Sequence, residues 1–433
     1  MQTKTTSRTV RPATNVLGSL RLPGDKSISH RYAMLAAMAA GHSKFHNFSS
    51  GADCASTLAC MRALGANVVH DRANRTVDIE GCSAAFTQPT TPLDCGNSGS
   101  TMRMLSGILA GQPLECELIG DDSLSRRPMG RVVKPLRTMG AEITTSEADR
   151  APLRIRGGEL HGIEYRPDVA SAQVKSCLLF AGLQAEGETS IEEPVRTRDH
   201  GELALRAFGA EVVRQRNRVS IRGGQRLHGI EAMVPGDASS ASFFLCAAAM
   251  FPESNLVLEG VLMNPTRSAL LDVLGALGAQ VKVLQLEEQY GELIGTITMH
   301  SGPLGGALIE GGQSAALIDE LPVLAAIAPY TRDGLEIRDA RELRVKESDR
   351  IALVAKNLRA MGAEVEERED GLRVPGGQEL HGAEIDPAGD HRIAMAFSIA
   401  ASRAHGETEI TDSGAAGVSF PEFYELLEGV LER

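Results

Sequence analysis

One pattern of apolar and polar positions recurs along the chain: an amphipathic segment ends at a glycine, which is followed by alanine, a polar residue and Val or Ile. The copies lie about 70 to 85 residues apart, and their glycines are Gly65, Gly140, Gly209, Gly278 and Gly362. Each copy predicts the last turn of a helix, a glycine in the left-handed conformation just past its end, and then a strand. The pattern therefore predicts an α/β chain built of similar units.

A second pattern places small polar residues before runs that are rich in Ala, Leu and Met. These openings lie at 24–27, 96–101, 170–173, 236–240, 318–321 and 389–392. Small polar side chains satisfy the unpaired N–H groups of a helix N-terminus, and the runs that follow are apolar nearly all round, which predicts buried helices. The two patterns together predict six copies of a unit that contains a strand, a buried helix, a strand, an amphipathic helix and a strand.

Six units divide most simply into three and three, and the turn at 234–237 lies between the third unit and the fourth. We predict one domain over residues 23–240 and a second over 1–22 plus 241–433. If the buried helices of the two domains face each other, the cleft between them receives six helix N-termini. Each N-terminus favours an anion by roughly 0.3–1 kcal/mol. We therefore expect the active site in this inter-domain cleft, with hinge closure on a ligand that carries several negative charges.

Composition narrows the class of partner. The chain has 433 residues and a formal net charge of −12, which argues against nucleic acid and against an anionic membrane surface. No apolar run approaches the roughly 18 residues of a membrane span. The seven cysteines form no Cys-x-x-Cys pair, and an odd number of thiols is typical of a reduced, cytoplasmic protein.

Cationic and polar side chains stand at the predicted helix starts. They comprise Lys26, Ser27 and Arg31, Gly99 with Arg103, the paired Arg126 and Arg127, Ser171 to Lys175 with a hydroxyl, an amide and an amine, Arg198, Lys346 with Arg350, and Arg392. Lys346 and Arg350 share a face if both are helical. Such groups suit phosphates and carboxylates.

Two acids are the candidates for proton transfer. Asp319 stands at the start of the fifth buried helix, and Glu347 lies among cations; either carboxylate can take or give a proton in a closed cleft. Asp319 could instead be a helix cap, and Glu347 a first-turn acid that interacts with the helix dipole. The sequence contains no zinc motif, Walker motif or Asp cluster for Mg²⁺, so we expect neither a metal nor a cofactor.

Several motifs together resemble the 5-enolpyruvylshikimate-3-phosphate synthase family, in its class II bacterial branch. They are Leu22 to Arg31, Gly96 to Arg103, Arg127 to Gly130, Ser171 to Gln173, Met263 to Arg267, Leu343 to Arg350 and Asp390 to Met395. The resemblance spans nearly the whole chain. It implies a two-domain inside-out α/β barrel of six βαβαββ repeats, the enolpyruvyl transferase fold. It also implies that the substrates are shikimate 3-phosphate and phosphoenolpyruvate.

The resemblance further implies a role for each matching residue. Shikimate 3-phosphate would be held by Lys26, Ser27, Arg31, Ser171, Ala172, Gln173, Arg198, Asp319 and Lys346. Phosphoenolpyruvate would be held by Lys26, Gly99, Arg127, Gln173, Arg350 and Arg392. Asp319 would be the base toward the 5-hydroxyl, Glu347 the proton donor to C3, and Lys26 a third catalytic group.

Three positions bear on how closely the chain follows the family. Some relatives have serine at the position of Ala172 and lysine at the position of Val418, so two ligand contacts are in doubt here. Class II members that tolerate glyphosate can carry alanine at the position of Gly99. The glycine in this chain therefore predicts an enzyme that glyphosate inhibits.

Two other functions remain open at this point. A sister transferase that acts on UDP-N-acetylglucosamine shares the fold, but it typically has a cysteine in the loop that corresponds to 123–128, where this chain has none. A non-catalytic anion-binding scaffold would leave Asp319 and Glu347 unexplained. We expect a monomeric cytoplasmic enzyme with small-molecule partners and no membrane or nucleic-acid partner.

Overall fold

The computed structural model describes residues 6–83 and 85–433, which form a mixed α/β structure as predicted. The helices are α1 (Lys26–Met38), α2 (Ala52–Ala63), α3 (Gly99–Ala110), α4 (Asp122–Ser125), α5 (Gly130–Thr138), α6 (Ala172–Gly182), α7 (His200–Ala207), α8 (Ala238–Met250), α9 (Ala269–Leu277), α10 (Gly312–Ala316), α11 (Leu321–Ile327), α12 (Arg350–Ala360), α13 (His391–Ala401) and α14 (Phe423–Glu428).

Short strands alternate with these helices. They are β1 (Arg8–Val10), β2 (Asn15–Arg21), β3 (His42–His46), β4 (Asn67–Asp71), β5 (Thr76–Glu80), β6 (Leu93–Asp94), β7 (Glu115–Ile119), β8 (Glu142–Ser146), β9 (Arg150–Arg156), β10 (Glu164–Tyr165), β11 (Glu188–Glu192), β12 (Val212–Gln215), β13 (Arg218–Arg222), β14 (Glu231–Met233), β15 (Asn255–Leu262), β16 (Gln280–Gln289), β17 (Glu292–His300), β18 (Ala307–Ile309), β19 (Leu335–Ile337), β20 (Glu366–Arg368), β21 (Gly371–Val374), β22 (Glu384–Ile385), β23 (Thr408–Ile410) and β24 (Leu431–Glu432).

The predicted helix-ending glycines adopt the left-handed conformation in every copy. Their φ angles lie between 90° and 111°, at Gly65, Gly140, Gly209, Gly278 and Gly362. Helices α2, α5, α7, α9 and α12 precede them, and strands β4, β8, β12, β16 and β20 follow. Only glycine takes this conformation without strain, which is why the repeat could be predicted from sequence alone.

The repeat is also visible in the sheets. Four sheets share one order, namely β14-β3-β5-β4, β6-β7-β9-β8, β10-β11-β13-β12 and β18-β19-β21-β20. In each, the first two strands are parallel and the remaining neighbours are antiparallel. The two other sheets in the described part of the chain are β16-β17-β15-β2-β24 and β1-β23-β22. Each contains a parallel pair, β15-β2 in the first and β22-β23 in the second, and strands from the chain ends complete both sheets.

The residues cluster into two compact units. The N-terminal unit contains 23–234 and 288–292, and the C-terminal unit contains the described residues before 23 together with 235–287 and 293–433. The turn after Val234 belongs to the C-terminal unit, where the Gly236 N–H donates to the Gly260 carbonyl at 2.7 Å. Each unit contains three of the six repeats.

Each unit has helices inside and sheets outside. In the N-terminal unit every residue of α1 from Ile28 to Met38 is buried. Helices α3 and α6 pack so closely that a Cβ atom on Gly107 would lie 2.1 Å from the Cys177 carbonyl oxygen. Strand β9 alternates exposed and buried residues, as expected of a strand with one face in solvent. The C-terminal unit buries α8, α11 and α13 in the same way.

A search of the described helices for a membrane span finds none with sufficient length and hydropathy.

Candidate active site

In the N-terminal unit, two carboxylates bind groups at the start of α1. Asp25 caps α1, and its side chain accepts from the Ile28 N–H at 2.9 Å. Lys26 is the first residue of the helix, and its Nζ lies 2.8 Å from Oδ2 of Asp53 in α2. The Lys26 side chain is 20% exposed and that of Asp53 is 9% exposed. The ammonium group is therefore fixed at the helix opening and still reaches solvent.

Arg31 lies one turn further along α1 and joins it to α6. Its Nη1 donates to the Ser27 carbonyl at 2.8 Å, and its Nη2 donates to the Ser176 hydroxyl at 2.9 Å. Burial, together with the nearby charge of Arg198, lowers the pKa of Arg31 to about 10. That value leaves the guanidinium charged at neutral pH. Arg31 therefore joins α1 to α6 and lies close enough to Arg198 for the two charges to interact.

The second helix start brings Gly99 between two arginines. Ser98 caps α3 by accepting from the Thr101 N–H at 3.1 Å. A Cβ atom on Gly99 would lie 2.8 Å from Nη1 of Arg103 and 3.4 Å from Nη1 of Arg127. The segment 123–130 is partly helical, since α4 ends at Ser125 and α5 begins at Gly130.

Both arginines donate to amide oxygens. Arg103 Nη1 donates to Oε1 of Gln173 at 2.8 Å, and Arg127 Nη2 donates to Oδ1 of Asn97 at 2.7 Å. The Gln173 amide in turn donates to the Ser100 hydroxyl at 2.9 Å. Gly99 therefore lies beside Arg127 on one side and beside Arg103, which is bonded to Gln173, on the other.

The third helix start differs from its prediction at Lys175. Ser171 caps α6, and the carbonyl of Ala172 accepts from Arg31 Nη2 at 3.5 Å. The expectation that Lys175 offers an amine at the opening is wrong, because its side chain is only 2% exposed. Its Nζ lies 2.9 Å from Glu193 and 2.8 Å from Glu202.

Lys175, Glu193, Glu202 and Arg214 form a group that we call the buried ion cluster. Arg214 lies 2.7 Å from Glu193 and 2.6 Å from Glu202. Glu193 also accepts from the Thr197 N–H at 3.0 Å, directly before Arg198. Burial alone would raise the pKa of Glu193, but Lys175, Thr197 and Arg214 outweigh it and hold that pKa below its usual range. The cluster thus anchors the loop that carries Arg198.

Asp319 is the centre of the C-terminal unit's group. Helix α11 begins at Leu321 with Glu320 as its N-cap residue, so the alternative in which Asp319 caps the helix is wrong. Its carboxylate lies 4.0 Å from Lys346 Nζ and 3.8 Å from Arg350 Nη1. Arg392 Nη2 is also 3.8 Å away, and Arg392 Nη1 donates to the Asp319 carbonyl at 2.8 Å.

Glu347 pairs with Arg350. The distance from Glu347 Oε2 to Arg350 Nη2 is 2.6 Å, and Arg350 Nε lies 2.8 Å from Oδ2 of Asp390. Burial alone would lower the pKa of Arg350, but Asp390 and Glu347 outweigh it and raise that pKa above its ordinary value. Helix α12 begins at Arg350, so Glu347 lies outside its first turn and Lys346 shares no helical face with Arg350.

Two groups result, one in each unit. The N-terminal group contains Lys26, Ser27, Arg31, Gly99, Arg127, Ser171, Ala172, Gln173 and Arg198, and the C-terminal group contains Asp319, Lys346, Glu347, Arg350 and Arg392. Asp53 and Asp390 were not among the predicted site residues, and Arg103 had no predicted substrate contact. Arg103 and Asp390 lie inside the quoted motifs, whereas Asp53 has no local signal, because its partner is 27 residues away.

Comparisons with known proteins agree with these motifs. The family model for EPSP synthase (3-phosphoshikimate 1-carboxyvinyltransferase) matches residues 10–427. A 3-phosphoshikimate 1-carboxyvinyltransferase of Koribacter versatilis is 63% identical over 98% of this chain and 99% of its own. One from Solibacter usitatus is 54% identical, again over 98% and 99% of the two chains.

A solved structure agrees as well. The EPSP synthase of Acinetobacter baumannii superimposes with a TM-score of 0.88 at 40% identity, and 98% of each chain is covered. This likeness confirms the predicted enolpyruvyl transferase fold. The chain belongs to the EPSP synthase (3-phosphoshikimate 1-carboxyvinyltransferase) family.

Proposed function

We propose that this chain transfers the enolpyruvyl group of phosphoenolpyruvate to the 5-hydroxyl of shikimate 3-phosphate. The products are 5-enolpyruvylshikimate 3-phosphate and inorganic phosphate, in the biosynthesis of aromatic amino acids. The family match over residues 10–427 and the relatives named above support this reaction. The residue roles that follow are proposals, and the contacts within each unit support them.

The N-terminal group binds anions. Lys26, Arg31 and Arg198 take the sugar phosphate, assisted by Ser27, Ser171, Ala172 and Gln173. Phosphoenolpyruvate contacts Lys26, Gly99, Arg127 and Gln173 from this group, with Arg350 and Arg392 from the other. A hydrogen bond to a charged group contributes about 1.5–3 kcal/mol, so several of them offset the cost of removing water from two phosphates and two carboxylates.

The proposed mechanism centres on Asp319, whose carboxylate lies within 4.0 Å of Lys346, Arg350 and Arg392. In its ionised form it accepts the proton of the 5-hydroxyl, whose oxygen forms a bond to C2 of phosphoenolpyruvate. Protonated Glu347 supplies a proton to C3 in the same step. The C–O bond to phosphate then breaks as C3 returns a proton to the Glu347 carboxylate, which restores the enol double bond, and the proton held by Asp319 leaves with the phosphate.

The cations of the C-terminal group also stabilise the negative charge that develops during the reaction. Lys346 contacts the sugar side, and Arg350 and Arg392 face the phosphate and carboxylate of phosphoenolpyruvate. Positioned cations of this kind stabilise charge that develops in a transition state. We propose that the two units are the two domains of the enzyme and that residues of both act on the same pair of substrates.

Phosphate release from purified protein tests the function. Shikimate 3-phosphate with phosphoenolpyruvate should release phosphate, and UDP-N-acetylglucosamine with phosphoenolpyruvate should release none. Release only with the second pair would identify the sister transferase. Binding of phosphate without turnover of either pair would instead identify a scaffold.

Two variants test the roles of the acids. Asp319→Ala and Glu347→Ala should each abolish turnover, while isothermal titration still detects binding of shikimate 3-phosphate. Glu364→Ala serves as the control, because Glu364 is an exposed acid of the same unit. A near-normal rate in either test variant would overturn the assigned role.

The oligomeric state and the need for a metal are tested by separate measurements. We propose a cytoplasmic monomer that needs neither metal nor cofactor. Light scattering coupled to size exclusion should give the mass of one 46.0 kDa chain, and EDTA should leave the rate unchanged. A dimer mass or a chelator-sensitive rate would contradict this part.

A further inference from the structure

The residue after Asp319 is a second acid, Glu320, whose carboxylate is buried with a pair of partners. Arg267 Nη2 lies 2.9 Å from Glu320 Oε1. The Ser239 hydroxyl accepts from Arg267 and donates to Glu320. The exposed fraction is 3% for Glu320 and 7% for both Arg267 and Ser239. We call these three residues the Glu320 triad.

The triad joins three separate segments of the C-terminal unit. Ser239 lies in the first turn of α8, which Asp237 caps by accepting from the Ser240 N–H at 2.7 Å. Arg267 follows β15 in a turn, where its N–H donates to the Asn264 carbonyl at 2.8 Å. Glu320 is the N-cap residue of α11. Two buried helix starts and one turn are therefore tied together beside Asp319.

A contribution to stability does not by itself explain why this ion pair is present. The desolvation of two buried charges largely cancels their attraction, and apolar residues of similar volume often replace such a pair without loss of stability. What the pair does provide is a fixed geometry, because two charged hydrogen-bond donors and acceptors tolerate little displacement.

Asp319 is also held through its own backbone. Arg392 Nη1 donates to its carbonyl at 2.8 Å, and the side chain of the next residue is locked by Arg267. The peptide between Asp319 and Glu320 is thus restrained at both ends by arginines on different elements. This restraint limits where the Asp319 carboxylate can lie.

We propose that Arg267 and Glu320 are positioning residues, which hold the Asp319 carboxylate in the orientation needed for proton abstraction. They act through Asp319 and contact neither substrate. The inference rests on the proposed function, since it assigns these residues to the same proton-transfer step.

The first test variant is Glu320→Gln, which keeps the side-chain shape and removes the charge. A displacement of about 1 Å can cost up to about 100-fold in rate, so kcat should fall by about 10- to 100-fold. The KM values for both substrates should change little. Arg267→Lys, which retains a positive charge, should recover part of the rate relative to Arg267→Met.

A stability-matched control separates positioning from general damage. Met299→Ala truncates a fully buried side chain in β17 and leaves a cavity, which lowers the melting temperature. It should leave kcat unchanged. If kcat falls in Met299→Ala as it does in Glu320→Gln, lost stability explains both effects and the inference fails.

The Asp319→Asn background provides a double-mutant cycle. If Glu320 acts through Asp319, adding Glu320→Gln should change the residual rate by less than about twofold, measured by phosphate release over long incubations. An unchanged kcat in Glu320→Gln, or an equal loss in both backgrounds, would overturn the inference.

A crystal structure of Glu320→Gln, or of Arg267→Lys if the first variant does not fold, decides the inference independently of activity. The Asp319 carboxylate should be displaced or have several conformations. A carboxylate that keeps its native position and order would overturn the positioning role, even in a protein that releases phosphate. A wild-type protein that releases no phosphate would overturn the proposed function alone.

Discussion

Replacement of Gly99 by alanine tests the packing of the proposed phosphoenolpyruvate site. The added Cβ atom would lie 2.8 Å from Arg103 Nη1 and 3.4 Å from Arg127 Nη1. The first separation is too short for carbon and nitrogen that are not bonded, so one group has to move. Arg103 is the flexible partner, and its shift would break the 2.8 Å hydrogen bond from Nη1 to Gln173 Oε1.

The size of the effect follows from that bond. A hydrogen bond from a charged donor is worth about 1.5–3 kcal/mol, which corresponds to a factor of roughly 10 to 150 in an equilibrium constant. Arg103 can bond to water after it shifts, so we expect the lower end, an increase of about tenfold in KM for phosphoenolpyruvate. Glyphosate is the larger ligand, so its inhibition constant should rise by a larger factor than KM.

The assay is phosphate release at fixed shikimate 3-phosphate, with phosphoenolpyruvate and glyphosate varied in turn. Gly158→Ala is the matched control, because a Cβ atom there would meet no atom within 4 Å. The wild type and the control should both be inhibited by glyphosate. Equal resistance in wild type and Gly99→Ala, or an unchanged KM, would refute the reasoning.

Three further predictions concern the buried ion cluster. Lys175→Met leaves two carboxylates buried without the lysine. Because Arg214 still pairs with both, urea unfolding should show that the free energy of unfolding falls by about 3 kcal/mol, near the lower end of the range for a broken buried ion pair. Thr197→Val removes a hydroxyl that donates to Glu193 and loosens the neighbouring Arg198; calorimetry should show shikimate 3-phosphate affinity reduced by about tenfold, with kcat unchanged. The pKa of Glu193 is held below its usual range, so its stabilising contribution is present above the unfolded pKa of about 4.3 and is lost as pH falls through the folded value. Unfolding free energy should therefore fall more steeply below about pH 5 in wild type than in Glu193→Gln, and parallel curves would contradict this assignment.

Features that depend on neighbours in sequence could be predicted well. A left-handed residue after a helix requires glycine, and this rule located the end of a helix at Gly65 and at its four counterparts. The caps at Asp25, Ser98 and Ser171 follow from a similarly local rule, since a short polar side chain accepts from an N–H two or three residues later.

Features that depend on distant residues could not be predicted. Lys175 stands four residues after a cap and looks like part of a polar opening, but its partners are Glu193 and Glu202, on a later strand end and a later helix. The start of the fifth buried helix also differs from its prediction, although the signal that sets it is local. Pro322 lies in the first turn of α11, where its fixed φ suits a helix start, so Asp319 stays outside as a potential catalytic group.

Neutral oxygens hold some of the predicted ligand arginines and carboxylates hold others, and this difference matches their proposed tasks. Arg31, Arg103 and Arg127 donate to carbonyl, hydroxyl and amide oxygens, as Arg392 does to the Asp319 carbonyl, and these contacts orient a guanidinium. Arg350 donates instead to the carboxylates of Glu347 and Asp390. Neutral acceptors suit a surface that must attract two phosphorylated substrates to a chain of net charge −12. Carboxylate partners suit a place where protons move, because a cation beside each acid stabilises the charge that remains after the proton leaves.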